Sequence, residues 1–169
     1  MENEDVFRYE SNELESMLFA DNYYKWIISL FKGYLKGSLL EIGAGSGNFT
    51  SYLEKENLQK ITSLEPSENL YPILERKYRN SSRVSTFNGY LSNFDSSMKE
   101  SFDCICYVNV LEHIEYDSTE IQIASSYLKE DGCIIVFVPA LPFLYSDLDQ
   151  CFGHFRRYTK CSLTKLIRQ

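Results

Sequence analysis

The stretch LLEIGAGSGNFTSYL, residues 39–53, places three glycines at alternate positions, Gly43, Gly45 and Gly47. A short apolar run precedes the glycines, and a segment with the apolar spacing of one helix face follows them. Glycine adopts backbone conformations that other residues avoid, and it lets a ligand approach the main chain where a Cβ would clash. The stretch therefore predicts a strand, a tight loop that contacts a polar ligand, and a helix.

Apolar periodicity divides the rest of the chain into alternating helices and strands. It predicts an amphipathic helix that ends near Gly37, a helix that begins at Pro66, and further helices that open near Asp117 and Ser162. It predicts strands at 38–42, 61–65, 83–87, 102–110 and 133–139. Strands separated by crossovers of this length pair in parallel, so we expect a doubly wound α/β sheet.

Local signals refine this outline at three places. The helix that begins at Pro66 should turn Leu70, Ile73, Leu74 and Tyr78 inward. Asp117 followed by Glu120 is typical of a capping box, in which each residue pairs with a helix-terminal amide. Residues 129–132 predict a turn before the fifth strand.

Composition bounds the class of protein. At 169 residues with 44% hydrophobic side chains, the chain suits one soluble domain. A net charge of −7 disfavours nucleic acid as a partner, and no apolar run approaches the roughly 20 residues of a membrane span. The acidic amino terminus is unlike an export signal, and the five cysteines form no zinc pattern. We expect reduced, mostly buried thiols, no metal and a cytoplasmic location.

The glycine spacing sorts the candidate ligands. A dinucleotide site needs G-x-G-x-x-G, and a phosphate-binding loop needs a following Gly-Lys-Ser/Thr. This chain has G-x-G-x-G, preceded by Glu41. A carboxylate so close to the loop disfavours pyrophosphate and favours a cationic ligand. Glu41 itself either positions the loop or contacts the ligand.

At EIGAGSG the chain resembles the class I S-adenosylmethionine-dependent methyltransferases, and FDCICYVNVLEHIEYD, residues 102–117, resembles their fourth-strand motif. The likeness runs from about Tyr23 to Arg168 and implies a Rossmann-like sheet with S-adenosyl-L-methionine as cofactor. In this family an acid that ends the second strand holds the ribose hydroxyls, a position that Glu65 occupies. The cofactor-binding residues implied by the resemblance are Tyr23, Glu41, Gly43, Ala44, Gly45, Gly47, Glu65, Pro66, Asn88, Gly89, Tyr90, Asn109 and Val110.

A narrower likeness lies in VPALPFLYSDLDQCFGHFRRYTKCSL, residues 138–163, which resembles a bacterial subgroup with a Gly-His-x-Arg-Arg-Tyr signature. It implies a small-molecule or glycan acceptor, with His154, Arg156, Arg157 and Tyr158 on the substrate side and His154 as a candidate base. One of the two arginines should instead bridge Asp147 or Asp149. His113 is a second candidate base, although a structural role is favoured for it.

The resemblance divides the chain into an N-terminal helical cap at 1–37, a cofactor-binding core at 38–139 and a substrate-side segment at 140–169. Members normally end with two further strands, which this sequence lacks. We therefore expect a fragment, or a fifth-strand edge covered by a second copy or another partner. Two other readings remain open: a nucleotide-dependent oxidoreductase and a non-catalytic cofactor-binding domain.

Overall fold

The computed structural model describes residues 20–168, and within this range five strands form one parallel sheet. The strands are β1 Ser38–Ile42, β2 Lys60–Glu65, β3 Val84–Asn88, β4 Phe102–Val108 and β5 Leu128–Phe137. The helices are α1 Asp21–Phe31, α2 Thr50–Leu53, α3 Tyr71–Tyr78, α4 Asp117–Ser125, α5 Asp147–Cys151 and α6 Lys160–Ile167. Short 3₁₀ turns lie at Leu91–Asn93, Ser96–Met98, Leu111–His113 and Pro142–Leu144.

The strand order β3-β2-β1-β4-β5 confirms the predicted doubly wound α/β fold. The chain moves outward from β1 to β3 and then crosses back to place β4 on the other side of β1. The order therefore reverses between β1 and β4, where crossovers to opposite faces leave a crevice beyond the strand ends. That crevice holds the glycine loop.

Two apolar layers cover the two faces of the sheet, because successive strand residues point in opposite directions. Leu39 packs with α1, α2 and α3, whereas Leu40 packs with α4 and α6. Both leucines have no exposed surface. Burying a leucine side chain contributes about 1.5–3 kcal/mol, so central strands of this kind hold the scaffold in place.

Element boundaries differ from the sequence-based expectations at several points. The first helix ends at Phe31 and gives way to a turn, rather than continuing toward Gly37. The helix expected at Pro66 begins at Tyr71, and Ile73 on it is 52% exposed, so its predicted inward position is wrong. Strand β4 stops at Val108 because the next residue, Asn109, has a left-handed φ of 54°.

Two local predictions near the later elements are also wrong. Asp117 and Glu120 form no capping box, because each carboxylate instead accepts a hydrogen bond from a buried tyrosine hydroxyl. Residues 129–132 lie inside β5, at a register shift in its pairing with β4, rather than in a turn. The tyrosine partners of Asp117 and Glu120 lie outside α4, so local sequence spacing does not reveal them.

Other expectations concern the surface and the termini. All five thiols are free, but only Cys104 and Cys106 in β4 are buried, so the expectation of mostly buried thiols is wrong. Cys133 is partly buried, and Cys151 and Cys161 are exposed in α5 and α6 after β5. No helix in residues 20–168 is both long enough and apolar enough to cross a membrane. Within the same range β5 forms one edge of the sheet, and a partner that covers it stays a prediction. Most of the expected N-terminal cap lies outside the described residues.

Candidate active site

A cavity of about 500 Å³ opens beyond the carboxyl ends of β1, β2 and β4. Its walls come from the glycine loop after β1, the end of β2, the turn after β3 and the residues that follow β4. Tyr24 of α1 and Phe155 of the loop after β5 also line it. A volume of this size is typical of a site for a small molecule or cofactor, for which about 300–1,000 Å³ is usual.

The glycine loop forms one wall through its backbone. Gly43 and Gly45 line the cavity with φ values of 67° and 58°, in the left-handed region. A Cβ on Gly43 would lie 2.6 Å from a methyl carbon of Val110, which is too close for any side chain. Ala44 lies between them and donates its amide to the Leu64 carbonyl, which ties the loop to β2. The loop conformation therefore depends on glycine at both positions.

Gly47 packs against α3, and the cofactor contact that the resemblance implies for it stays a prediction. It does not line the cavity bounded by the described residues. Its φ is 79°, and a Cβ there would lie 2.8 Å from both Leu74 and Tyr78 of α3. Its carbonyl accepts hydrogen bonds from Lys77 Nζ at 2.6 Å and from the Tyr78 hydroxyl at 3.2 Å. Gly47 lets α3 pack closely against the loop.

Glu65 ends β2 and lines the cavity with only 5% of its surface exposed. One carboxylate oxygen accepts the Gly45 amide at 2.7 Å, and the other accepts the Ser67 amide at 2.9 Å. Burial raises the pKa of Glu65, and these two backbone hydrogen bonds oppose the rise. Each carboxylate oxygen can accept more than one hydrogen bond, so Glu65 keeps acceptor capacity for a ligand.

Glu41 lies behind the loop rather than at the cavity. It is 3% exposed, and one carboxylate oxygen accepts hydrogen bonds from the hydroxyls of Thr50 and Ser63, both at 2.7 Å. Burial raises the pKa of Glu41 to about 6, against those two hydrogen bonds. Of the two roles left open by the sequence, these contacts match the one in which Glu41 positions the loop.

The end of β4 places Asn109 and Val110 on the cavity wall. The side-chain amide of Asn109 donates to the Tyr23 hydroxyl at 2.9 Å, and its backbone amide donates to the Phe137 carbonyl at 2.8 Å. Tyr23 packs edge-on against the Phe137 ring and does not itself line the cavity within the described residues. Tyr23 therefore supports Asn109, while its neighbour Tyr24 lines the cavity.

The turn after β3 supplies another wall. Gly89 and Tyr90 line the cavity, whereas Asn88, the last residue of β3, is exposed and does not. Gly89 donates its amide to the Glu65 carbonyl at 3.2 Å, so this turn is tied to the end of β2. Half of the Tyr90 surface is exposed, and burial together with the nearby Glu65 charge raises its pKa. Pro66 completes this part of the wall.

The two histidines meet on the β4 side of the cavity, across β1 from Glu65 at the end of β2. His113, in the 3₁₀ turn after β4, lines the cavity, and its ring packs edge-on against His154 with ring centres 4.6 Å apart. Burial and the neighbouring His154 lower the pKa of His113 to about 4, so its ring is neutral at pH 7. His154 does not line the cavity within the described residues, and its Nδ1 lies 3.0 Å from Asp149.

The remaining residues of the Gly-His-x-Arg-Arg-Tyr segment form hydrogen bonds and ion pairs within the loop after β5 and from that loop to the start of α4. Arg157 donates to the Asp149 carboxylate at 2.8 Å, as one arginine was predicted to do. Arg156 pairs with Asp117 at 2.7 Å and donates to the Glu115 carbonyl. Tyr158 is buried, and its hydroxyl donates to Asp117 at 2.8 Å. None of these three lines the cavity of the described residues, so their predicted substrate contacts stay predictions.

Several cavity residues were absent from the sequence-based set. Ser46, Asn48, Ser92, Glu115, Glu120, Tyr24 and Phe155 all line it. Ser46 and Asn48 belong to the same loop as the glycines and could have been included on position alone. Phe155 lies in a loop 42 residues beyond His113, and no local spacing signals that it reaches the cavity.

These features together define the class: a doubly wound sheet with a glycine loop after β1, an acid at the end of β2 and a cavity across the reversal point. The sequence matches the family described as "Methyltransferase domain" over residues 19–169. The chain therefore belongs to the methyltransferase domain family.

Comparisons with individual proteins agree with this family. A Thermotoga maritima structure described as a SAM-dependent methyltransferase, "possible histamine N-methyltransferase", is 25% identical, with a TM-score of 0.72 over 93% of this chain and 75% of its own. An Archaeoglobus fulgidus SAM-dependent methyltransferase shares the fold at 15% identity, with a TM-score of 0.72 over 94% and 73% of the two chains. "Methyltransferase OMS1, mitochondrial" of Saccharomyces cerevisiae is 31% identical over 68 residues, which are 40% of this chain and 14% of the yeast protein.

The cavity residues fit the family's cofactor, S-adenosyl-L-methionine. Glu65 offers a buried carboxylate with acceptor capacity, which suits two neighbouring ribose hydroxyls. Asn48 lines the cavity, and its buried side-chain nitrogen can donate a hydrogen bond to an acceptor atom of the ligand. Gly43 provides backbone that no Cβ shields.

Proposed function

We propose that this protein transfers the methyl group of S-adenosyl-L-methionine to an O, N or C nucleophile of a small-molecule or glycan-type acceptor. The observation that carries the proposal is the buried Glu65 carboxylate, which faces the cavity while holding the glycine loop through the Gly45 amide. Glu65 thus links the acid at the end of β2 with the glycine loop, the two features that define an adenosine site of this type.

Each wall of the cavity has a role in this proposal. Glu65 accepts hydrogen bonds from the ribose hydroxyls, while Gly89 and Tyr90 pack against the adenine ring. The backbone of Gly43 and Gly45, with Asn109, holds the methionine part. Glu65 and Gly43 lie at strand ends, and Gly45, Gly89 and Asn109 are hydrogen-bonded to strand residues, so the cofactor pocket is largely preformed.

The cofactor supplies an activated methyl group on a charged sulfur, so the protein mainly has to align an acceptor and exclude water. Alignment alone contributes about 7–11 kcal/mol in favourable cases. His113 and Phe155 line the cavity on its β4 side, whereas Glu65 ends β2 on the other side of β1, so these two residues are best placed to shape an acceptor site. A base is needed only for an acceptor that must lose its proton, and His154 would then act through His113 rather than by direct contact.

Two rival functions remain distinguishable by experiment. A nucleotide-dependent oxidoreductase is disfavoured by the G-x-G-x-G spacing and by the methyltransferase family match. A non-catalytic cofactor-binding domain would bind the cofactor and transfer nothing. We also propose the three-part division of the chain given above and a cytoplasmic location, the latter because all five thiols are free.

Calorimetric titration tests the proposal. We expect the full chain to bind S-adenosylhomocysteine at one site and to show no saturable binding of NADH. Acceptor screening with tritiated S-adenosylmethionine then identifies the substrate. Binding without transfer to any acceptor would favour the non-catalytic domain, and the absence of S-adenosylhomocysteine binding by a folded chain would overturn the proposal.

A further inference from the structure

Both histidines of the chain and a buried glutamate come together beside the cavity, which His113 lines. Glu112 and His113 belong to the turn after β4, whereas His154 belongs to the loop after β5. One ligand atom from each residue lies within 4.8 Å of the other two. Residues 41 positions apart in sequence thus converge through the fold, and two imidazoles with one carboxylate are a common ligand set for divalent transition ions.

The orientation of His154 suits metal binding. Its Nδ1 lies 3.0 Å from Asp149, which also accepts a hydrogen bond from Arg157 and is 1% exposed. The arginine keeps Asp149 negatively charged, so Nδ1 of His154 is the donor in this contact. The lone pair of a neutral His154 ring is then on Nε2. A carboxylate that holds a histidine in this way is the usual outer partner of a metal ligand.

His113 has a comparable outer partner. Its ring hydrogen-bonds to the backbone of Gly153, the residue just before His154. A backbone carbonyl that accepts from one imidazole nitrogen fixes the tautomer and directs the other nitrogen away. The Glu112 carbonyl in turn accepts the Phe155 amide at 2.7 Å, which locks the two loops together. The convergence of the three residues is therefore built into the backbone.

Glu112 adds the negative charge that a cation requires. Its side chain has no exposed surface, which is unusual for a glutamate. A buried carboxylate beside two imidazoles is stabilised when it coordinates a metal ion.

We propose that Glu112, His113 and His154 bind one divalent transition-metal ion, with Asp149 as the residue that positions His154. Zinc bonds to nitrogen and oxygen of about 2.0–2.2 Å place neighbouring ligands about 3.4 Å apart, so small side-chain rotations complete the site.

The site opens to the cavity through His113, on the β4 side, where the proposed function places the acceptor. Three protein ligands leave coordination positions open, as in catalytic rather than structural zinc sites. An acceptor oxygen or nitrogen could occupy such a position. This last step rests on the proposed function, whereas metal binding itself does not.

Zinc titration of the full, metal-free chain tests the site. We expect one equivalent of Zn²⁺ to bind, and His113→Ala or His154→Asn to weaken its affinity by about 100-fold or more, with about 10–100-fold for Asp149→Asn. The matched control replaces the exposed thiols, Cys151→Ser with Cys161→Ser, and should leave zinc affinity unchanged. Unchanged zinc affinity in both histidine variants would overturn the site.

A second measurement needs no variant. Imidazole NMR signals of the wild-type chain come from only two histidines, and both should shift together up to one equivalent of Zn²⁺. Titration without such a shift contradicts the proposal even if a variant fails to fold. S-adenosylhomocysteine affinity is measured in parallel, so loss of cofactor binding, which affects the proposed function, is separated from loss of metal binding.

Discussion

Two of the loops that line the cavity are built in different ways. The glycine loop after β1 is held by contacts with the adjacent strand β2, through the Leu64 carbonyl and the Glu65 carboxylate. The loop after β5, residues 138–159, is held by side chains that reach the turn after β4 and the start of α4. The first loop shapes its wall with backbone, and the second with side-chain networks. Substitutions should therefore affect ligand binding in the first and loop stability in the second.

Gly43→Ala should cause the largest loss of cofactor affinity. The new Cβ would lie 2.6 Å from Val110 at a φ of 67°, so both the loop and the end of β4 must shift. We expect S-adenosylhomocysteine affinity to fall by about 100-fold or more, or about 2.7 kcal/mol. Calorimetry on the folded variant measures this. Gly33→Ala is the matched control, because nothing lies within 4 Å of a Cβ there, and it should bind normally.

Glu65→Gln should cause the second-largest loss of cofactor affinity. The amide side chain keeps one acceptor oxygen but loses the charge and one of the two acceptors, and hydrogen bonds to charged groups contribute about 1.5–3 kcal/mol. We expect a cofactor affinity loss of about 10–100-fold, measured by calorimetry. The exposed Glu68 gives the control, since Glu68→Gln should change nothing. Equal affinity for the Glu65 variant and wild type would remove the main support for the adenosine site.

The same contrast explains what the sequence could predict. The glycine loop and the strands β1 and β2 depend on neighbours within about one βαβ unit, so periodicity and glycine spacing predict their positions, whereas the role of Glu65 is implied by the family resemblance. Gly47 was assigned to the cavity because spacing alone does not separate a glycine that admits a ligand from one that admits a helix. The close approach of Leu74 of α3, 27 residues away, supports a packing role for Gly47, and its contact with the cofactor stays a prediction.

Prediction was weaker for the loop after β5 because its partners are distant in sequence. Asp117 looked like a capping residue, yet its carboxylate pairs with Arg156 and Tyr158. The sequence predicts that one of the two arginines bridges Asp147 or Asp149, all within one short segment, and the structure pairs Arg157 with Asp149. The meeting of His113 with His154 could not be read from the chain, since it requires β4 and β5 to be adjacent.

Tyr158→Phe tests the loop after β5, where we expect a substitution to lower stability without changing cofactor affinity. Tyr158 is 5% exposed, and its hydroxyl donates to Asp117 at 2.8 Å and lies 3.1 Å from the Leu111 carbonyl. Removing it leaves buried acceptors without that donor, which costs about 1–3 kcal/mol of unfolding free energy. Denaturant unfolding should show this loss while cofactor affinity stays within about twofold. Tyr116→Phe, at a site 72% exposed, should leave stability unchanged.

Glu41→Gln should have the smallest effect. It tests how the buried charge behind the glycine loop changes the free energy of unfolding with pH. Burial raises the pKa of Glu41 to about 6 from an ordinary value of 4.5, so the folded chain holds this proton more tightly than the unfolded chain. The resulting stabilisation is complete below pH 4.5 and is lost as the pH rises through 6. A shift of this size corresponds to about 2 kcal/mol.

Glutamine does not ionise, so it does not lose stability as the pH rises. Its carbonyl oxygen can accept hydrogen bonds from both Thr50 and Ser63, as one carboxylate oxygen of Glu41 does in the wild type. The stability of Glu41→Gln relative to wild type should therefore rise by about 1–2 kcal/mol between pH 4.5 and pH 7.5. Chemical unfolding at several pH values measures the difference. A flat difference would mean that Glu41 titrates normally, and a large loss of cofactor affinity in the variant would place Glu41 in ligand contact instead of behind the loop.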